Sequence, residues 1–172
     1  DRRIDKQIGS DHSPIEYNMS KRIEKILVPT DGSDGAMAAA AFAAEIARGV
    51  DAKVTVLTVN DDSILDITTP GIWSVQAIES GVTIDEIKEL TEKNVAETIL
   101  EPASKVLGNA VRFDTKQLWG HPSKTICDFA EQSEFDLIVI GSRGLSKFNR
   151  IVLGSVSSQV VSYATVPVTV VR

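Results

Sequence analysis

A single α/β domain, with helices on both faces of one five-stranded parallel sheet, is the fold this 172-residue sequence predicts. Three observations lead there. Leu137, Ile138, Val139 and Ile140 are four aliphatic residues in a row stopped by Gly141, the pattern of a strand buried on both faces, and such strands belong mainly to parallel sheets covered by helices. Strand-like stretches alternate with helix-like ones along the chain, which makes βαβ units with right-handed crossovers. Turn formers gather where the first, second and fourth strands end.

Taken in order, residues 1–20 are polar and without periodicity, ahead of and around Met19. They are expected to be an expression remnant or a disordered extension, with a regulatory arm as the alternative; the domain is expected over 21–172. Residues 23–28 are a short aliphatic strand closed by Pro29-Thr30-Asp31-Gly32-Ser33-Asp34-Gly35. The alanine-rich run 36–48 is a helix, with Ser33 or Asp34 as its N-cap and Gly49 as its C-cap. Residues 53–59, rich in β-branched side chains, form the second strand and end at Asn60-Asp61-Asp62. From there to Val82 no clean period holds, and Ile64, Ile67, Pro70-Gly71, Ile72 and Trp73 read as a long loop with a short helical piece, either a surface insertion or a lid.

Thr83-Ile84-Asp85-Glu86 has the form of a capping box, and Ile87, Leu90, Val95, Ile99 and Leu100 supply an apolar stripe. A long helix therefore starts there, with a kink or break near Glu101 because Pro102 follows, and an end at Gly108. Residues 111–118 alternate as a half-exposed third strand at a sheet edge. Trp119-Gly120-His121-Pro122 turns into a helix with Pro122 at its first position and Ile126, Phe129 and Ala130 facing inward. Residues 136–140 are the fourth strand, 154–164 a short helix carrying Val156, Val160 and Val161, and 166–171 the last strand.

A formal charge of −6 and a pI near 4.9 argue against a partner held through a long phosphate backbone, so no nucleic acid is expected. A single nucleotide needs only a local site. Cys127 is the only cysteine, which rules out an intrachain disulfide and a thiolate metal cluster and suits a reducing cytoplasm. No apolar run approaches the roughly 20 residues of a membrane span; a soluble chain is expected.

The segment after the fourth strand, Gly141-Ser142-Arg143-Gly144 and then Gly154-Ser155-Val156-Ser157, has the makings of a phosphate cradle. Glycine lets backbone approach a ligand closely, and a helix starting near Gly154 would aim free amides at an anion, with Ser155 and Ser157 adding hydroxyl donors. The spacing is neither G-x-G-x-x-G nor G-x-x-x-x-G-K-[ST]. It resembles instead the G-x-x-G, nine residues, G-[ST] signature of the universal stress protein family. The resemblance runs from about residue 23 to 172: Lys25-Ile26-Leu27-Val28-Pro29-Thr30-Asp31-Gly32-Ser33 is similar to the family's opening strand and turn, Gly120-His121-Pro122 to its Gly-x-Pro, and Val166-Pro167-Val168-Thr169-Val170-Val171 to its last strand. The alternative is that these glycines only end a strand and a helix.

That resemblance implies the strand order 3-2-1-4-5 and ATP, with Mg²⁺, at the switch point beside the first and fourth strands. It implies Asp31 as acceptor for ribose hydroxyls, against a turn aspartate bonding local amides; Pro29 and Thr30 as one wall; and main-chain atoms at Val59 reading the adenine edge. Gly141, Ser142, Arg143, Gly144, Gly154, Ser155, Val156 and Ser157 would hold the phosphates. The Arg143 guanidinium can pair with phosphate or face solvent, while Lys147 and Arg150 are read as solvated.

His121 has no ligand-spaced partners, Cys127 reads as a small buried residue, and neither a catalytic residue nor a metal set is assigned. The resemblance implies a homodimer through the last strand, where Pro167 would limit main-chain bonding. The expected activity is nucleotide-dependent regulation in a stress response, with at most slow ATP hydrolysis. A nucleotide-independent interaction module and a true nucleotide-cleaving enzyme are the alternatives.

Overall fold

In a computed structural model, residues 22–62, 81, 83–144 and 153–172 are described. The expectations for residues 1–20, for the loop with Ile64, Ile67, Ile72 and Trp73, and for Lys147 and Arg150 lie outside them. The aliphatic and β-branched runs make five strands: β1 (Lys25–Pro29), β2 (Lys53–Asn60), β3 (Arg112–Trp119), β4 (Leu137–Gly141) and β5 (Val168–Val171). They form one sheet in the order β3-β2-β1-β4-β5, with every neighbouring pair parallel. β4 is buried along its whole length and β3 is half exposed with no fully buried residue, as a central and an edge strand should be. β5 starts at Val168 rather than 166; Pro167 has no amide to donate, and only its carbonyl joins the ladder, accepting from Ile138 N–H at 2.9 Å.

Alternation along the strands divides the core in two. Ile26, Val28, Val54, Val56 and Val139 face helix α1 (Asp34–Val50), while Leu27, Leu57, Ile138 and Ile140 face α4 (Pro122–Gln132) and α5 (Ser155–Tyr163). α1 meets the sheet through Ala36, Ala39, Ala40, Ala43, Ala44 and Ala47, all buried, so its backbone lies close against the strands. Ser33 caps it, accepting from the Ala36 amide at 3.3 Å.

Two helix ends differ from expectation. α1 runs past Gly49 and is capped by Asp51 in the left-handed region, φ 57°. Aspartate tolerates that conformation, and the Ala52 N–H then reaches the Ala47 carbonyl at 3.0 Å. Of the kink or break expected near Glu101, no break occurs, and the disturbance sits just ahead of that residue. Instead α2 (Ile84–Val95), opened by the Thr83 and Glu86 capping box, passes through a single wide turn at Ala96–Leu100 into α3 (Glu101–Leu107). In that π turn the Glu101 N–H bonds Ala96 O, an i→i+5 bond that gives the Pro102 ring room within a continuous helix.

The β2–β3 edge holds a titrating cluster. Burial pushes the Asp114 carboxyl up, but hydrogen bonds from Lys53 and Thr55 together with the lysine's charge outweigh it, and its pKa falls below the ordinary 3.8. Lys53 Nζ lies 2.6 Å from Oδ2 and Thr55 donates to Oδ1 at 2.6 Å. A lowered carboxylate pKa adds stability that is complete above the ordinary value and is lost as pH falls through the folded one. Asp114→Asn should accordingly unfold at a lower denaturant midpoint than the parent at neutral pH, with the gap narrowing as pH drops below about 3.8; a gap independent of pH would show that the carboxylate is not the source.

Candidate functional site

β1 and β4 are neighbours at the centre of the sheet, and the helices that follow them, α1 and α5, pack on opposite faces. The crevice at their carboxyl ends is therefore a topological switch point, where open α/β sheets take ligands. Two turns meet in it. The first is pinned by its own hydrogen bonds: Thr30 N–H to Leu57 O at 2.8 Å, Thr58 Oγ1 to Thr30 O at 3.2 Å, Gly32 N–H to Thr30 Oγ1 at 3.2 Å and Ser33 N–H to Asp31 Oδ1 at 3.0 Å. Gly32 sits at φ +82°, a conformation that side chains rarely adopt. Asp31 Oδ1 is thus engaged by its own turn. Oδ2 faces the second turn, for a β-carbon added to Gly144 would land on it.

The second turn is held as firmly. Ser142 N–H donates to Val171 O at 2.6 Å, Gly154 N–H to Ser142 O at 2.8 Å, and the buried Ser157 Oγ to Gly141 O at 2.7 Å. The Ser157 hydroxyl proton is therefore committed to the protein's own backbone. Gly141 lies so close to the start of α1 that an added β-carbon would come within 2.7 Å of the carbonyl group of Gly35; one added to Gly35 would come within 2.9 Å of Arg143 O. The N-terminus of α1 consequently faces a protein carbonyl, Arg143 O, to which Ser33 Oγ also donates at 3.4 Å. α5 differs: its N-cap is Gly154 with no side-chain cap, so first-turn amides of Ser155, Val156 and Ser157 have no intrahelical acceptor.

Between the turns lies a cleft of about 290 Å³. Of the residues singled out from the sequence, Pro29, Thr30, Asp31, Val59, Gly141, Arg143, Gly144, Gly154, Ser155, Val156 and Ser157 line it; Ser142 does not. Among the described residues Asp31 is its one lining carboxylate, and Leu57, Pro122, Ile126 and Ile140 complete an apolar side. Sequence reasoning missed the contribution of Pro122 and Ile126, although the turn before Pro122 starts α4 at the rim where β3 ends. It also missed Gly35, whose signal was a glycine in the first turn of an otherwise alanine-rich helix.

A larger groove of about 360 Å³ lies elsewhere, lined by His121, Ser123, Lys124, Cys127, Asp128, Gln159 and Tyr163 among others. Its polar groups already serve one another: Lys124 pairs with Asp128, and Ser123 Oγ sits between His121 Nδ1, at 3.1 Å, and Gln159 Oε1. Burial, then the Asp128 charge, pushes the Cys127 thiol up, which keeps it protonated and unreactive near neutral pH. The smaller cleft joins the first-turn amides of α5 to a carboxylate, whereas Asp128 and Gln159 in the larger groove are already bonded to Lys124 and Ser123. Among the described residues no group of three or more His, Cys, Asp or Glu can hold a metal ion, and no helix is long and apolar enough to cross a membrane.

Comparison with known proteins agrees with this architecture. The model of the universal stress protein family matches residues 22–172. A universal stress protein of Methanocaldococcus jannaschii is 35% identical over 159 residues, which are 92% of this chain and 87% of the relative. The solved UspA from Lactobacillus plantarum superposes with a TM-score of 0.60 at 34% identity, over 88% of this chain and 99% of that one. A universal stress protein from Archaeoglobus fulgidus solved in complex with dAMP has a TM-score of 0.55 at 24% identity, over 90% of this chain and all of the other, a likeness of fold.

Proposed function

Since the chain belongs to the universal stress protein family, we propose that its switch-point cleft binds an adenine nucleotide, ATP with Mg²⁺, and that occupancy of this cleft is what the protein reports as a regulator. The observation that carries the reading is the juxtaposition of Asp31 Oδ2 with Gly144, beside the uncapped start of α5, at one rim of the sheet. A nucleotide asks for an acceptor at its sugar, donors at its phosphates and a flat apolar slot for its base. Asp31 supplies the first. The amides of residues 155–157 supply the second, helped by the helix dipole. Pro29, Val59, Pro122 and Ile126 border the third. The family relative solved with dAMP is in keeping with an adenine nucleotide.

Mg²⁺ would arrive on the phosphates and keep most of its water, since it needs few protein ligands; Asp31 is the lining carboxylate that can assist. Among the described residues no histidine lines the cleft, and the lining carboxylate is assigned to the sugar; the proposed hydrolysis is at most slow. A second copy of the chain would pair along β5, the four-residue edge strand of partly buried residues at the other end of the sheet from β3. Isothermal titration of the full chain with ATP and Mg²⁺ tests the reading. Saturable binding with one site per chain supports it, and no heat at millimolar nucleotide overturns it.

A further inference from the structure

We propose that Ile99, delivered by the π turn between α2 and α3, is a positioning residue that holds the Asp31 turn in the shape that recognises the sugar of the bound nucleotide. The inference rests on the nucleotide reading above. At the β-carbon position of Gly32, the nearest atoms are Ile99 Cγ1 at 3.2 Å, Cδ1 at 3.7 Å and Cγ2 at 3.8 Å. A branched side chain thus fills the space that a glycine at φ +82° leaves open, directly beside the carboxylate that meets Gly144.

Ile99 reaches that place because two anchors on the same helix are out of phase. α2 is fixed to β3 by Gln117 Nε2 donating to Glu92 O at 2.9 Å and Trp119 Nε1 donating to Glu92 Oε1 at 2.7 Å. α3 is fixed to the core by Ala103 and Leu107, with Leu100 just ahead of it, all three buried. The wide turn at Ala96–Leu100 takes up one extra residue between them. Leu100 then goes into the core while Ile99, its neighbour in sequence, is left partly exposed against Gly32. π turns are rare, and they are frequent at functional sites.

The turn's own bonds do not replace this contact. Thr30 Oγ1 and Asp31 Oδ1 hold the amides of Gly32 and Ser33, but both acceptors belong to the turn and move with it. β2 holds the turn at Thr30, through Leu57 O and Thr58 Oγ1, and Ser33 Oγ reaches Arg143 O; between these anchors, at Gly32, the packing contact comes from Ile99 on a separate element and sets how the middle of the turn stands.

The test compares ATP with 2′,3′-dideoxy-ATP, which lacks both ribose hydroxyls, on the full chain and on Ile99→Ala and Ile99→Val. The parent should favour ATP by roughly tenfold, the usual worth of hydrogen bonds to a charged acceptor. Ile99→Ala should shrink that preference to about threefold or less while dideoxy-ATP binds as before, with Ile99→Val between. Amide exchange at Gly32 and Ser33 should also quicken in ligand-free Ile99→Ala. If Ile99→Ala does not fold, the same ratio and exchange rates are read on Ile99→Val, where an unchanged ratio overturns the proposal. An unchanged ratio in folded Ile99→Ala overturns it and leaves nucleotide binding intact. A parent that binds both nucleotides equally overturns it by removing the sugar readout. A parent that binds neither overturns the nucleotide reading and this inference with it.

Discussion

Gly141→Ala is expected to cost about 3 kcal/mol or more of folding stability, at the upper end of what overpacking a closely packed site costs. The added methyl would lie 2.7 Å from both the carbonyl carbon and oxygen of Gly35 and 3.0 Å from the amide nitrogen of Ala36. These are backbone atoms in the first turn of α1. That turn cannot move away cheaply, because the Ser33 cap and six buried alanines hold the helix on the sheet. Gly141 is itself held on two sides, by Ser157 Oγ and by pairing with Val171. Gly49→Ala makes the matched control: nothing lies within 4 Å of its added methyl, and its place inside α1 should yield about 0.5–1 kcal/mol of stabilisation. Urea unfolding at constant m-value would display the two shifts in opposite directions. Equal small shifts would mean that the Gly35 and Gly141 crossing is looser than these distances say.

Gly144→Val is expected to cost only about 1 kcal/mol of stability, the worth of the Ser33 N–H bond to the displaced Asp31 carboxylate, and to remove nucleotide affinity by roughly a hundredfold or more, about 3 kcal/mol of binding free energy. Gly144 is exposed, so no core packing is at stake. Its new side chain would instead occupy the position of Asp31 Oδ2 and push the carboxylate out of the cleft. Titration calorimetry with ATP and Mg²⁺ measures the loss, and a cooperative urea transition with only a small shift of midpoint separates it from unfolding. Retention of parental affinity would detach Asp31 and Gly144 from the ligand altogether. Together the two substitutions, three residues apart, divide the glycine turn into a residue that builds the fold and a residue that serves the ligand.

What could be read in advance follows the range of the forces involved. The strands, the Ser33 cap and the capping box at Thr83 were legible because each depends on residues a few positions apart. Strand order was not legible from periodicity; the family resemblance supplied it, and the sheet has that order. The C-cap moved two residues, from Gly49 to Asp51, because Asp51 takes the left-handed position at φ 57° and lets the Ala52 N–H close on Ala47 O. The π turn was out of reach for a different reason. Pro102 announced a disturbance, but its form depends on where Glu92 and Leu100 are anchored, one on β3 and the other in the core. At the cleft, Asp31 and the glycines carried local signals, whereas Pro122 and Ile126 join it only through tertiary placement.

The ladder between β1 and β4 has only two registered pairs, Ile26 with Leu137 and Leu27 with Ile138, against eight between β2 and β3. This narrow seam joins segments more than a hundred positions apart in the chain, so closing it demands a large loss of chain freedom for few main-chain bonds. The cleft exists only after that closure. A small molecule gripping Asp31 on one side and the glycine turn on the other would therefore act as a suture across the sheet's shortest ladder, and the same grip would slow the opening of the sheet into its two halves.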